Sequence, residues 1–290
     1  MVKEDVIFPE KNMEQFYIVP EIPNFPEKCQ KIDTLQTKIQ ALKATQERKG
    51  NVLDELYKKQ RAVWTHTSNA IEGNTLTLGE TIYLIEEGIA QGDKPFKDYV
   101  ESKNHATAID FLYENILKHD REINAGLIKE INALLLRGIT HTPAVNQFGE
   151  KVNKPATSGE FKILPNHVLL PDGSLHRYVE PLQVPAQIDF LCRWIKENEK
   201  GVHPVICSAV AHYNLVRIHP FDDGNGRGAR ILMNLILLRA GYSPAIIRHE
   251  NRTKYLSCIN KANEGDLSHF IDFVARSLIQ TLENTLDDLV

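Results

Sequence analysis

Between Ile218 and Arg230 the chain reads I-H-P-F-D-D-G-N-G-R-G-A-R, a run dense in residues that can do chemistry. His219 can accept a proton near neutral pH. Asp223 offers hard carboxylate oxygens suited to Mg²⁺ already bound to phosphates. Gly224, Gly226 and Gly228 let the backbone approach a ligand closely. Arg227 and Arg230 are three residues apart and share a helix face. A cation in the first turn of a helix is unfavourable by about 0.3–1 kcal/mol at an exposed site. Two of them there imply an anion that offsets the cost, and local conflicts of this kind tend to mark functional sites. A histidine before proline, an aspartate in a turn and an arginine pair are each ordinarily structural. Together, base, metal ligand and phosphate clamp read as transfer of a phosphorus-containing group.

Two helices must hold this turn. Upstream, Val205, Ile206, Ala209, Val210, Tyr213 and Val216 recur at helical spacing; downstream, Ile231, Leu232, Leu235, Ile236 and Leu238 do the same. The second helix starts near Asn225 or Gly226, and its first N–H groups, lacking intrahelical partners, form an anion site. No G-x-x-x-x-G-K-[ST] occurs here, so the turn is not a P-loop. Nor is G-N-G-R-G-A a dinucleotide fingerprint, because the glycine spacing is wrong and a helix precedes it.

His219-Pro220-Phe221-Asp222-Asp223-Gly224-Asn225-Gly226-Arg227, with Arg230 following, matches the H-P-F-x-[DE]-G-N-G-R-x-x-R signature of the Fic-domain family without a departure. The resemblance implies an all-α, Fic-type helical bundle with a short β-hairpin flap over the active site. Most members of that family transfer AMP from ATP to a hydroxyl on a protein. Carried onto this chain, His219 is the base and the Gly224–Gly228 backbone, with Ala229 beside it, cradles ATP. Asp223 holds Mg²⁺, Arg227 and Arg230 hold the terminal phosphates, and Asn225 helps orient the α-phosphate. Asp222 is the variable position and receives no role. Relatives that use UTP, phosphorylate or attach phosphocholine leave the transferred group open. Removal of AMP by hydrolysis, or a latched nucleotide sensor, are the other readings.

Upstream, Ser68-Asn69-Ala70-Ile71-Glu72-Gly73-Asn74 closes a helix expected from about Val52 to Ile71. Ser68 and Glu72 share a face, and Gly73 is the expected residue just past the end. Glu72 then sits at the negative end of the helix dipole. Alone, this is an exposed glutamate before a cap. It also resembles the [ST]-x-x-x-E-[GN] inhibitory motif of the Fic subclass whose inhibitory helix precedes the catalytic domain. That resemblance implies that Glu72, helped by Ser68, pairs with Arg230 and regulates the site. Downstream, Arg252–Asn263 reads as a helix with Tyr255, Ile259 and Asn263 on one stripe. Such a stripe is usually core, but the resemblance assigns Tyr255 and Asn263, with Ile259 between them, to adenine. Phe161–Leu175 is the one β segment, interrupted by Pro165-Asn166 and turned by Pro171-Asp172-Gly173-Ser174. The resemblance makes residues 160–178 the flap, where an unknown target protein adds a strand. Leu175 and His176 are its nucleotide-facing candidates.

The remaining chain supplies scaffold. Residues 1–27, with Pro9, Pro20, Pro23 and Pro26, read as an extended surface arm. Helices are expected at Gln30–Lys49, from Thr77 (Leu84, Ile85 and Ile89 inward), at Asp98–Lys118, at Asn124–Leu136 capped by Asn124, at Val184–Lys196 and at Leu267–Leu289. Thr140–Gly159, rich in turn formers, reads as a loop. This divides the chain into an arm and helix (1–50), an inhibitory helix region (51–76) and a catalytic domain (77–290). A net charge of −4 and a pI of about 6.3 give no electrostatic case for nucleic acid. Four scattered cysteines form neither a zinc site nor a disulfide framework. No apolar run approaches the ~20 residues of a membrane span, and no signal-peptide pattern opens the sequence. A cytoplasmic protein is expected, with homo-oligomerisation left open.

Overall fold

The computed structural model of the chain describes residues 13–46, 51–145, 150–169 and 175–290. Among them ten α-helices follow in order: α1 (Phe25–Gln46), α2 (Val52–Ile71), α3 (Leu78–Glu87), α4 (Phe96–Phe111), α5 (Ala125–Leu135), α6 (Val184–Asn198), α7 (Pro204–Ile218), α8 (Asn225–Arg239), α9 (Arg252–Asn263) and α10 (Ser268–Leu289). Two antiparallel hairpins lie between α5 and α6: β1 (His141–Val145) with β2 (Lys151–Pro155), and β3 (Val168–Leu169) with β4 (Leu175–His176). The fold is all-α with a short β-hairpin flap.

The helix pair that carries the polar turn is the centre of the molecule. Val205, Cys207, Val210 and Leu215 of α7 and Ile231, Met233, Leu235 and Leu237 of α8 are all buried. Each fully buried aliphatic side chain stabilises the fold by roughly 1.5–3 kcal/mol, so this pair is a stiff platform. α10 wraps it with an apolar stripe of Phe270, Ile271, Val274, Leu278 and Leu282. α1 lies along α10, with Ile32 and Ile39 fully buried. Local chemistry sets the helix ends. Asn124 accepts from Leu127 N–H at the start of α5, and Thr77 and Glu80 form a reciprocal capping box at the start of α3.

Several expectations change. The arm is not merely laid on the surface, because Met13 and Tyr17 are buried, a 3₁₀ turn spans Gln15–Tyr17, and α1 already begins at Phe25. Residues 1–12 and 47–50 lie outside the described residues. Ile89 is 50% exposed rather than inward, since Gly88 in the left-handed region ends α3 before it. The expected 98–118 helix starts at Phe96 and continues past α4 as a π-helical turn over Leu112–Leu117. The Thr140–Gly159 stretch holds the hairpin β1–β2 and is not a loop. Conversely, Phe161 is not in a strand; its ring packs on Phe221, with centroids 5.6 Å apart. The Pro171–Ser174 turn lies outside the described residues. Among the described residues no helix is long and apolar enough to cross a membrane.

Candidate active site

α7 ends at His219, whose φ of 51° places a non-glycine residue in the left-handed region. Strain of this kind persists only where the surroundings impose it, often at functional sites. Here the His219 N–H bonds to Leu215 O at 3.0 Å and Pro220 stops the helix. The imidazole Nδ1 is 3.3 Å from Val216 O. A carbonyl partner there selects the tautomer protonated on Nδ1, leaving Nε2 as an acceptor. Burial, then the nearby Lys162 ammonium, pull the imidazole down to about 3, against the smaller opposing pull of the Val216 carbonyl and Asp223. His219 is therefore neutral at physiological pH.

The turn itself is closed by Asn225. Its Oδ1 accepts from Phe221 N–H at 2.9 Å and its Nδ2 donates to Phe221 O at 2.8 Å. Both ends of this buried amide bond to the main chain of the turn, which fixes the turn's shape. Gly224, with φ of 78°, precedes the first turn of α8. Asp223 accepts from the Gly224 N–H, from Arg227 at 3.2 Å and from the Thr142 hydroxyl at 3.0 Å. Burial pushes its carboxyl up, but Arg227, the Gly224 N–H, Lys97 and Thr142 outweigh that and hold it below the usual range.

The two arginines differ in their surroundings. Arg230 is 2% exposed. Its Nε donates to Ser68 Oγ at 2.9 Å, and its Nη2 to Ser68 O and to Glu72 Oε1, both at 2.8 Å. The Glu72 carboxylate also lies against Gly226 so closely that a Cβ there would overlap it. A carboxylate of the chain itself thus occupies the anion position at the start of α8. Gly73, with φ of 96°, ends α2 as expected, and Arg252 Nε caps it by donating to Ile71 O at 2.7 Å. Arg227 is equally buried but turns away, to Asp223 and to Glu101 at 3.2 Å.

Glu72, His219 and Gly226 face a cavity of about 240 Å³, closed on the flap side by Val168, His176 and Tyr178. From α9 come Tyr255, Leu256, Ile259, Asn260 and Asn263. Tyr255 lines the cavity while most of its ring is committed to the core. It is 2% exposed, its ring packs among His212, Phe270 and Phe273, and its hydroxyl bonds His212 Nε2 at 3.0 Å and Arg230 at 3.4 Å. Of the apolar side chains that α9 turns to the cavity, Leu256, one position on, is the most exposed, at 37%. The Leu175 side chain lies outside the described residues.

A family model described as Fic/DOC matches residues 122–237. Those residues are a Fic/DOC-family domain. Proteins named protein adenylyltransferase Fic, from Nematostella vectensis and Drosophila melanogaster, are 35% and 32% identical over 217 and 260 residues. The matches cover 74% and 87% of this chain but 46% and 47% of theirs, so the chain spans about half the length of these curated relatives. The structure of a Fic-domain signalling protein from Bacteroides thetaiotaomicron is similar at a TM-score of 0.77 and 27% identity, covering 90% of this chain and 96% of that one. Fic-1 of C. elegans gives 0.68 at 27% identity, covering 88% and 72%.

Within this Fic fold, spacing alone could not single out Tyr178, Lys162, Arg252, Thr142, Lys154 or Glu101. Each reaches the signature turn or α2 from a distant segment. Thr142 and Lys154 are directly opposed across β1–β2. They hold Asp223 and Asp222, Lys154 Nζ standing 2.6 Å from Asp222 Oδ1. Asp222, without a role in the signature, thereby fixes the hairpin. Among the described residues no group of three or more His, Cys, Asp or Glu side chains is placed to hold a metal ion alone. One carboxylate, Asp223, fits a Mg²⁺ that arrives on phosphates, since such ions keep most ligands from substrate and water.

Proposed function

We propose that this Fic protein is an adenylyltransferase, moving AMP from ATP to a Ser, Thr or Tyr hydroxyl of a protein, and that Glu72 holds it inhibited. The observation that carries this reading is the Glu72 carboxylate on Arg230 and Gly226. A site that satisfies a carboxylate there is built to take a terminal phosphate. The names of the relatives support adenylyl transfer as the reaction. The region 51–76 then acts as a latch on a catalytic body of residues 77–290.

In the transfer, the acceptor hydroxyl loses its proton to His219 Nε2 while its oxygen bonds to the α-phosphorus. The bond from that phosphorus to the bridging oxygen breaks, and pyrophosphate leaves. The α8 N-terminal amides and Arg230, once freed from Glu72, meet the phosphate charge. Arg227, fixed by Glu101 and Asp223, adds positive potential from behind. Mg²⁺ at Asp223 would supply charge neutralisation on the phosphates. Catalysis here rests on positioning and charge stabilisation. Leu256 and Ile259 offer the apolar wall for adenine and Asn263 a polar edge, while the flap receives the target segment by strand addition.

Intact-mass spectrometry after incubation with ATP and Mg²⁺ tests the reading. An adduct with the mass of AMP on the chain or on a target is expected. His219→Ala should abolish it while calorimetry still detects ATP binding. An adduct that survives in His219→Ala would overturn the assignment of the base.

A further inference from the structure

Within the flap region lies a lysine to which the reaction above gives no part. Lys162 is 3% exposed. A lysine stem ordinarily lets the ammonium reach water, and burying it without a carboxylate in contact is costly. Here Nζ donates to Asn166 Oδ1 at 2.7 Å. It also lies 5.8 Å from the centre of the Tyr178 ring. That ring is stacked on the His219 imidazole, with centroids 3.8 Å apart and planes 20° from parallel. The same segment is bolted to the turn that follows the base. Lys162 N–H donates to Pro220 O at 2.8 Å, and Asn166 Nδ2 donates to Phe221 O at 2.8 Å.

We propose that Lys162 is a positioning residue for His219: its ammonium holds Asn166, whose amide ties down the turn after the base, and lies beside the Tyr178 ring that stacks on the imidazole. Other charged or titratable groups face this pair. His176, from β4, also disfavours the imidazolium, whereas Asp223 favours it. Tyr178 covers one ring face. Around the ammonium, Glu180 and Asp222 favour its charge and Lys154 opposes it. Burial brings Lys162 down to about 8, so at neutral pH most molecules retain the cation. The consequence for transfer rests on the proposed reaction; the effect on the imidazole does not.

Nitrogen NMR of the full chain labelled at histidine separates the two. The His219 signal is assigned by its loss in His219→Gln. The reading is the protonated fraction of His219 at the lowest pH where all variants stay folded, which should be small in the unaltered chain. Lys162→Met, or Lys162→Gln, removes a like charge, which favours the imidazolium, and should raise that fraction up to about tenfold, as a shift of about one pH unit would. Lys162→Arg keeps the cation and should leave the fraction in place. A fraction unmoved in the neutral variants, or raised as far in Lys162→Arg, overturns the proposal. So does failure of both neutral variants to fold while Lys162→Arg is stable, which would make Lys162 a residue of the fold alone. A shifted imidazole with no AMP adduct in any variant keeps the proposal and removes the transfer reading.

Discussion

Replacing Glu72 by glycine should raise transfer and lower stability together. Arg230 is buried, while the Glu72 side chain is 40% exposed, so water screens the pair on one side only. An exposed ion pair contributes about 0–1 kcal/mol, and a charge-assisted hydrogen bond about 1.5–3 kcal/mol. The half-exposed geometry lies between, at about 1.4 kcal/mol, which corresponds to roughly tenfold at about 1.4 kcal/mol per tenfold. That factor applies to the fraction of molecules able to place the phosphates, while the fraction is small. The Ser68 bonds to Arg230 remain, so the guanidinium keeps part of its support. The yield of AMP adduct at saturating ATP and fixed Mg²⁺, read by intact-mass spectrometry, should rise by that factor. Thermal melting should fall by about 3–6 °C for a chain of this size. Glu72→Gln, which keeps a hydrogen bond but no charge, should lie between. Adding Arg230→Ala to Glu72→Gly should cancel the gain. Equal adduct yields from the unaltered chain and Glu72→Gly would refute the latch.

Three other perturbations probe the same geometry. Gly226→Ala places a Cβ where the Glu72 carboxylate lies; it should displace the latch yet give no gain in transfer, because the methyl also blocks the phosphate. Calorimetry showing normal ATP affinity in that variant would contradict this. Arg252→Ala removes the cap on Ile71 O and should loosen α2, giving a smaller activation than Glu72→Gly in the adduct assay; an unchanged yield would detach Arg252 from the latch. The pH dependence of stability follows from His105, His212 and His219, whose burial, aided by nearby arginine or lysine charge, holds them neutral in the folded state. Unfolded histidine titrates near 6.5, so below that pH the unfolded chain binds more protons and stability declines as pH falls. Urea midpoints at pH 7.5 and 5 should differ in that direction; equal midpoints would show that these rings are already charged or solvated when folded.

Much of the scaffold was legible in local pattern. α2 and α9 run from Val52 to Ile71 and from Arg252 to Asn263 as their apolar spacing and caps indicate. Asn124 and Thr77 start helices because their side chains satisfy free N–H groups there. The signature turn was legible too, since glycine dihedrals and a helix start are properties of a few adjacent residues. The hairpin β1–β2 was not, because its strands, H-T-P-A-V and K-V-N-K-P, lack clear alternation and lean on Asp222 and Asp223 for support.

What the sequence by itself determined is which side chains share a helix face; only the tertiary structure decided what each face meets. On α9, successive residues differ by about 100° of rotation. That step buries Tyr255 at the wall of the cavity and leaves Leu256 exposed in it. On α8, Arg227 and Arg230 share a face by spacing, yet one is engaged by Glu101 and Asp223 and the other by Ser68 and Glu72. Lys162, within the expected flap, carries no sequence signal of burial, yet packing beside Asn166 and Tyr178 leaves it 3% exposed. Glu72 and Arg230 are 158 residues apart. Helical periodicity reaches only a few turns, so packing of α2 against α8 is what brings that carboxylate onto the anion position.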